Sequence, residues 1–209
     1  MNDEEITGEQ ENRIPLVTDL DGTLINTDVS VLTFFKMLRK KPYTIALIPF
    51  WALRGRYYLK MKSLKLIGFS AANLPYIEIV VDMLKKAKSD GRGVYLATAS
   101  MHEIAEIMQQ ELGIFDAVFG STDGENLRSS IKLAKLQTLF GERGFDYIGD
   151  SKADIKVWAG ARLGFAVNPS PEVMQAIESL PNVQIISKEK PLKFWKIAKD
   201  VLCRKGGTP

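Results

Sequence analysis

The 209-residue sequence predicts an α/β fold with a doubly wound parallel sheet and one inserted helical segment. The first observation is that short apolar runs, typical of buried strands, alternate with longer amphipathic stretches, typical of helices. The second is that the alternation stops between residues 27 and 73, where the pattern is helical without a clear strand. The third is composition, because 45% hydrophobic and 25% charged residues are typical of a chain that buries a core.

Six strands and five helices are predicted for the alternating part of the chain. The strands cover residues 14–18, 93–98, 117–119, 146–149, 163–167 and 183–186. The helices cover residues 75–89, 100–112, 128–140, 153–161 and 171–180. Ser100 and Glu103 have the spacing of a capping box, so Ser100 is predicted to cap the second of these helices.

The interruption is predicted to be a helical cap inserted into a discontinuous core. The cap covers 27–73, with helices over 29–40, 43–53 and 57–67, and the core covers 12–26 and 74–187. Because the cap follows the turn after the first strand, it should lie over the carboxyl ends of the strands, where such sheets bind ligands. The remaining residues are predicted to be tails, 1–11 and a basic, amphipathic 188–209.

Cysteine content and hydropathy bear on the compartment. The single cysteine, Cys203, excludes an intrachain disulfide and favours a reducing environment. The acidic residues 1–5 are unlike a secretory signal. The longest mainly apolar stretch, 43–53, is shorter than the ~18–20 residues that span a bilayer. We therefore predict a soluble, cytoplasmic protein and leave peripheral contact with a membrane open.

Two pairs of acidic residues follow predicted strands. Asp19 and Asp21 follow the first strand, and Asp150 and Asp154 follow the strand over 146–149. Carboxylates two residues apart on extended backbone face the same way, and they repel each other unless a cation lies between them or one is protonated. Oxygen ligands without histidine or cysteine favour Mg²⁺.

A hydroxyl and two cations complete the set. Thr98 ends the second predicted strand, and Arg128 and Lys132 begin the helix predicted over 128–140, one turn apart and on the same side. Acids, a hydroxyl and a cation at strand ends suit the binding and transfer of a phosphoryl group.

Several motifs resemble those of the haloacid dehalogenase-like superfamily. Asp-Leu-Asp-Gly-Thr-Leu at 19–24 resembles the first motif, Thr98 the second, and Gly-Asp-Ser at 149–151 followed by Asp154 the fourth. The insertion after the first motif resembles members with a helical cap of the first type. The resemblance implies a Rossmann-like core and a Mg²⁺-dependent phosphatase. Dehalogenating members lack an acid at the position of Asp21, so dehalogenation is not expected.

The resemblance also implies roles for individual acids. Asp19 would be the nucleophile that forms an aspartyl-phosphate, and Asp21 would protonate the leaving oxygen and then activate water. Mg²⁺ would be held by Asp19, the backbone carbonyl of Asp21, and Asp150, with Asp154 close by.

The same resemblance implies a phosphate-binding group. Thr98 and Ala99 would contribute from the second motif, and Gly22 from the turn of the first. The lysine of the third motif is expected near Arg128, 22 positions before Asp150. Lys132 is the favoured alternative for this role, and both stay open.

Five short segments are similar to the dehalogenase-like domain found ahead of UbiA-type membrane prenyltransferases. They cover residues 73–76, 96–100, 126–128, 144–147 and 167–169. This second resemblance suggests a polyprenyl-linked or sugar phosphate as substrate. A phosphotransferase, or a catalytically weak regulatory or membrane-docking domain of the same superfamily, stays open as an alternative.

The cap is strongly basic although the whole chain has a formal net charge of only +3. Residues 27–73 hold nine lysines or arginines against one acid, Asp28. The cap can be an ordinary one with its own aromatic core, can attract a phosphorylated substrate, or can bind anionic lipid through the apolar stretch around Trp51. Nucleic acid is not an expected partner, since no binding motif accompanies the charge. The oligomeric state is left open.

Overall fold

The computed structural model describes residues 14–188, which contain a six-stranded parallel sheet. The strands are β1 (Leu16–Thr18), β2 (Val94–Met101), β3 (Ala117–Ser121), β4 (Asp146–Gly149), β5 (Gly164–Val167) and β6 (Val183–Ser187). Their order in the sheet is β3-β2-β1-β4-β5-β6, and every pairing is parallel. The predicted doubly wound, Rossmann-like α/β fold is therefore confirmed.

Eight α-helices are described between residues 14 and 188. In chain order they are α1 (Val29–Lys40), α2 (Ile48–Leu53), α3 (Arg56–Ile67), α4 (Glu78–Ser89), α5 (His102–Leu112), α6 (Ser130–Phe140), α7 (Ile155–Gly160) and α8 (Pro171–Ile177). Two 3₁₀ helices, Pro42–Leu47 and Lys152–Asp154, precede α2 and α7. No helix in this part of the chain is long and apolar enough to cross a membrane.

Each face of the sheet carries its own apolar core. Successive residues of β1 point to opposite faces, so Leu16 belongs to one cluster and Val17 to the other. The first cluster includes buried side chains of α4 and α5, and the second includes those of α6, α7 and α8, with Trp158 fully buried. Because both faces are covered, a site is expected at the ends of the strands.

The cap consists of α1, the first 3₁₀ helix, α2 and α3, and lies in the chain between β1 and α4. The single helix predicted over 43–53 is wrong, because the chain forms a 3₁₀ helix and then restarts as α2. Pro49 explains the restart, since proline has no N–H to donate and is tolerated only in the first turn of an α-helix.

Two further predicted boundaries are wrong, and both affect the site. β2 continues to Met101, so Ser100 lies in the strand and does not cap α5, which begins at His102. Helix α6 begins at Ser130, after Ser129 with a φ of 53°. Arg128 therefore lies in the preceding loop, and not one turn before Lys132 on the same helix. Residues 1–13 and 189–209, with most of the predicted tails and Cys203, lie outside the described residues.

Candidate active site

An open cavity of about 610 Å³ lies at the carboxyl ends of the strands, beneath the cap. Asp19 and Asp21 reach it from the end of β1, and Asp150 reaches it from the end of β4. The cap contributes Tyr57 and Lys60, both from α3. The cavity thus lies where the sheet topology and the position of the cap predicted a ligand.

Asp19 is a buried residue that lines this cavity. Its backbone N–H donates to the carbonyl of Ile148 at 2.9 Å, which ties the end of β1 to β4. The residue is only 9% exposed, and its Oδ1 lies 3.1 Å from Nζ of Lys132. Burial raises the pKa of Asp19 to about 6, with the charge of Lys132 lowering it and that of Asp154 raising it.

Lys132 is the cation at the centre of the site. Its side chain is 3% exposed, and Nζ lies 3.6 Å from Oδ1 of Asp154 and donates to the hydroxyl of Tyr147 at 2.7 Å. Burial lowers the pKa of Lys132, but the charges of Asp19 and Asp154 raise it above its ordinary value. Arg128 also lines the cavity, but its side chain is exposed.

Tyr147 is a site residue that sequence reasoning missed. Its fully buried hydroxyl accepts from Lys132 and donates to Oδ1 of Asp154 at 2.7 Å. Burial, reinforced by the nearby carboxylates, raises the pKa of Tyr147 well above its ordinary value. An aromatic residue inside a strand pattern looks like core, so only its neighbours in space reveal this role.

Asp154 is held in place by donors from its own turn. Its Oδ2 accepts from the backbone N–H groups of Asp150 and Ser151, at 3.3 and 3.1 Å, and from Oγ of Ser151 at 2.8 Å. Ser151 and Asp154 form a capping box on the 3₁₀ helix that follows β4. Asp154 therefore caps this helix as well as facing Lys132.

Asp150 has far fewer donors. The hydroxyl of Thr23 donates to its Oδ1 at 3.3 Å. The pKa of Asp150 is raised to about 8. Burial is the largest cause, the charges of Asp19 and Asp154 add to it, and the hydrogen bond from Thr23 opposes it. A carboxyl group in such surroundings either keeps its proton or needs a cation beside it.

The acidic cluster fits a divalent metal ion. Asp19, Asp150 and Asp154 each offer a carboxylate oxygen, and these atoms lie within 4.8 Å of one another. An all-oxygen donor set with mutually repelling charges suits a hard cation such as Mg²⁺. Because Oδ2 of Asp154 already accepts three hydrogen bonds, Asp19 and Asp150 are the better candidates for direct ligands.

Asp21 is held apart from the acidic cluster. Its Oδ1 accepts from the backbone N–H of Val29 at 2.7 Å, and its Oδ2 accepts from Oγ of Ser100 at 2.5 Å. Burial raises the pKa of Asp21 to about 7, assisted by the charge of Asp28 and opposed by these two bonds. Ser100 is thus a second residue that sequence reasoning assigned elsewhere, since it was predicted to cap a helix.

Of the remaining predicted residues, Ala99 lines the cavity, whereas Thr98 and Gly22 are not among its lining residues. Thr98 is fully buried, its Oγ1 accepts from the N–H of Ser100 at 2.9 Å, and the wall beside it is formed by Ala99 and Ser100. Gly22 has a φ of +78°, and a Cβ there would lie 2.2 Å from Oδ2 of Asp150. Glycine at this position therefore lets Asp150 approach the backbone of the first motif.

Comparison with known proteins places the chain in a family. A family model described as haloacid dehalogenase-like hydrolase matches residues 16–158, which include every acidic residue of the cluster. The uncharacterized protein y4nM of Sinorhizobium fredii is 36% identical over 189 residues, or 88% of this chain. The chain spans 36% of the length of that relative.

Solved structures share the fold at low sequence identity. A protein of unknown function from Bordetella pertussis Tohama I has a TM-score of 0.62 and 16% identity, covering 85% of this chain and 99% of the other. A substrate-bound phosphoserine phosphatase has a TM-score of 0.56 and 18% identity, covering 86% and 94%. These likenesses concern the fold alone, and it is the match of the family model that shows that the chain belongs to the haloacid dehalogenase-like hydrolases.

Proposed function

We propose that the protein is a Mg²⁺-dependent phosphomonoester hydrolase that works through an aspartyl-phosphate. One observation carries the proposal: Asp19 faces an open cavity, paired with a buried lysine, beside Asp150 and two residues before a second acid held separately. This arrangement offers a nucleophile, a cation and a proton donor to one phosphate ester.

The first half-reaction forms a bond between phosphorus and a carboxylate oxygen of Asp19, while the bond from phosphorus to the leaving oxygen breaks. The leaving oxygen takes its proton from Asp21. A pKa of about 7 for Asp21 supports this role, because the group is then partly protonated near neutral pH. The bonds from Ser100 and Val29 hold the carboxyl in one orientation.

The second half-reaction returns the enzyme to its starting state. Asp21, now deprotonated, takes a proton from water as the water oxygen attacks phosphorus, and the bond to Asp19 breaks. Inorganic phosphate leaves, and Asp21 carries the proton for the next cycle.

Mg²⁺ would be held by Asp19, the backbone carbonyl of Asp21, and Asp150. Asp154 would orient this set of ligands through its hydrogen bonds with Ser151 and Tyr147. When bound, Mg²⁺ supplies positive charge that neutralises both the acids and the phosphoryl oxygens. Gly22 keeps Asp150 close to the first motif, which supports this ligand set.

Lys132 is proposed as the cation of the third motif. Its buried Nζ touches Asp19, whereas Arg128 is exposed on the cavity wall. Thr98 and Ala99 are proposed to bind phosphoryl oxygens. The hydroxyl of Thr98 accepts from the N–H of Ser100, a bond that does not use its own O–H proton, so it could donate that proton to a phosphoryl oxygen.

The substrate is proposed to be a sugar phosphate or a polyprenyl-linked phosphate. The outer cavity combines Lys60 from the cap with Asp123 and Glu125 from the loop after β3. Hydroxyl groups can accept from the lysine and donate to the carboxylates, which supports a leaving group rich in hydroxyls. Comparison of the two substrate classes at equal concentration tests this step, and inactivity toward both would contradict it.

The central experiment is phosphate release from an aryl phosphate, with Mg²⁺ or with chelator. Asp19→Asn should lower turnover by about 10³-fold or more, because it removes the nucleophile. Asp90→Asn is the matched control, since Asp90 pairs with Lys86 and does not line the cavity. Wild-type turnover that survives Asp19→Asn would contradict the proposal.

A second candidate is a regulatory or membrane-docking domain with little turnover. It is favoured by the apolar residues that the basic cap exposes between 43 and 53.

A phosphotransferase is distinguished in the same assay, because phosphate would then reach an added acceptor without appearing as free phosphate. A location at a membrane surface, with the cap and the 188–209 tail in contact, is compatible with the phosphatase as well as with the docking domain.

A further inference from the structure

The cap exposes an unusual concentration of large apolar side chains. Among the described residues, five of the nine exposed large hydrophobic side chains lie between 43 and 53. We call them the apolar cap face: Tyr43, Ile45, Leu47, Phe50 and Leu53. Their exposed fractions run from 41% for Leu47 to 87% for Leu53. Scattered exposed apolar residues are ordinary, but a concentration of five within eleven residues is a candidate interaction surface.

The apolar cap face alternates with buried side chains that pack inside the cap. Thr44 is fully buried and its hydroxyl donates to the carbonyl of Lys41 at 2.7 Å. Trp51 is 7% exposed and anchors α2 against the rest of the cap. The sequence suggested Trp51 as part of a lipid-binding stretch, but the structure turns it inward, and its neighbours Phe50 and Leu53 face outward. These residues are therefore the outer side of a packed layer.

Positive charge borders the apolar cap face. Lys40 and Arg54 are exposed at its two ends in the chain. The guanidinium of Arg54 lies 5.1 Å from the ring centre of Phe50, which places a cation directly against an apolar anchor. The cap's single acid, Asp28, accepts from the N–H groups of Ser30 and Val31 at the start of α1. It thus lies at the opposite end of that helix from Lys40.

We propose that the apolar cap face inserts into the interfacial layer of an anionic lipid bilayer, with Lys40 and Arg54 binding the headgroups. Apolar side chains bordered by lysine and arginine are the arrangement that lies in a membrane interface, and anionic headgroups complement the charge. A second copy of the chain is disfavoured as the occupant, because pairing would bring two strongly basic caps together.

This inference goes beyond the phosphatase proposal and holds with or without turnover. It has a consequence for the cavity, because α3 directly follows the apolar cap face and supplies Tyr57 and Lys60 to the cavity wall. Docking of the cap would therefore bring the cavity close to the bilayer surface.

The test is co-sedimentation of the full chain with vesicles of phosphatidylcholine alone, or with about 30% phosphatidylserine, in about 0.1 M salt. Wild type should bind the anionic vesicles about tenfold more strongly than the neutral ones. Phe50→Ser with Leu53→Ser should weaken that binding about tenfold, because two interfacial side chains are lost. Lys40→Glu with Arg54→Glu should remove the preference for anionic vesicles.

The control is Ile131→Ser with Leu139→Ser on α6, which removes two exposed apolar side chains (44% and 48% exposed) that lie outside the cap. This variant should bind vesicles as wild type does. Circular dichroism and turnover of an aryl phosphate report whether each variant is folded. Vesicle binding without turnover in wild type would keep this inference and contradict the phosphatase proposal, and turnover without vesicle binding would do the reverse.

Three results would overturn the inference. The first is equal binding of wild type to neutral and anionic vesicles. The second is full binding by the Phe50→Ser, Leu53→Ser variant. The third is a wild-type dimer that ignores vesicles and dissociates in that variant, since the apolar cap face would then join two copies of the chain.

Discussion

Strand β4 has a carboxylate at each end, buried at Asp146 and half-buried at Asp150, and the two have very different hydrogen-bond partners. Asp146, at its start, accepts from Nη2 of Arg92 at 2.6 Å and from Nε and Nη2 of Arg162 at 2.9 and 2.7 Å. The N–H of Leu163 adds a fourth donor at 3.2 Å. Asp150, directly after the strand, accepts from Thr23 at 3.3 Å and faces two other acids.

The difference separates a carboxylate whose charge is balanced by arginines from one that faces other acids. At the amino end, two arginines surround one acid and join the loops that precede β2 and β5. At the carboxyl end, Lys132 is shared among several acids, which leaves negative charge for a ligand to neutralise. A buried ion pair is sensitive to loss of one partner, whereas a cluster of like charges is relieved by it.

Asp146→Ala should have the largest effect on stability. It removes a buried carboxylate that two mostly buried guanidinium groups bind, so we expect a loss of about 3 kcal/mol in the free energy of unfolding. Urea denaturation measures the change. Asp90→Ala, which breaks a more exposed pair with Lys86, should cost less than about 0.5 kcal/mol. A loss at Asp146 no larger than at Asp90 would contradict the structural role.

Mg²⁺ should stabilise the protein by binding at the carboxyl end of β4. At a concentration about 100 times the dissociation constant, binding to the folded state adds about 2.7 kcal/mol. For a chain of this size that is a rise in Tm of roughly 5–10 °C. Asp150→Asn should abolish the rise and Asp146→Asn should retain it. An equal rise in both variants would mean that the ion binds elsewhere.

Tyr147→Phe should have an intermediate effect. It removes the hydroxyl between Lys132 and Asp154, which leaves a buried donor and a buried acceptor to find new partners. We expect a loss of about 2 kcal/mol in the free energy of unfolding. Tyr43→Phe, which removes an exposed hydroxyl, is the control. Equal stability of the two variants in denaturant would show that the buried hydroxyl contributes nothing.

The smallest predicted effect is a pH dependence of the metal-free protein. The pKa of Asp150 is raised to about 8 in the folded chain, from an ordinary value of 3.8. The folded state therefore binds more protons than the unfolded state between these values, so stability should fall as pH rises from about 4 to about 8. Asp150→Asn removes this contribution, so its free energy of unfolding should fall less steeply than that of wild type as pH rises toward 8 in chelator. An equal slope in both proteins would assign the dependence to other groups.

Much of the fold could be predicted because it depends on local pattern. Buried parallel strands are short apolar runs, and Asp19, Asp21 and Asp150 follow such runs within a few residues. Their common location follows from topology alone, since parallel strands end at one edge. These parts of the site needed no knowledge of side-chain packing.

The parts that escaped prediction depend on contacts between distant segments. Ser100 has the sequence spacing of a cap, but the strand continues through it and its hydroxyl meets Asp21 from another strand. Tyr147 looks like core until Lys132 and Asp154 are placed around it. Arg128 and Lys132 lie in different surroundings because α6 begins two residues later than periodicity suggests, after a positive φ at Ser129.

The apolar stretch 43–53 shows the same limit. An uncharged run predicts burial, and periodicity could not distinguish its outward side from the inward side chains of Thr44 and Trp51. Only the packing of the 3₁₀ helix and α2 on the neighbouring cap helices decides which residues meet solvent.

The hydrogen bond from Val29 to Asp21 joins the first residue of the cap to the proposed proton donor. A displacement of α1 from the core would lengthen that bond, so the position of the cap and the orientation of the acid would be coupled. An inhibitor that wedges between cap and core would then misplace the acid without touching the phosphate-binding groups. Such a compound need not carry a phosphate mimic, which would free its design from the charge that keeps phosphate analogues out of cells.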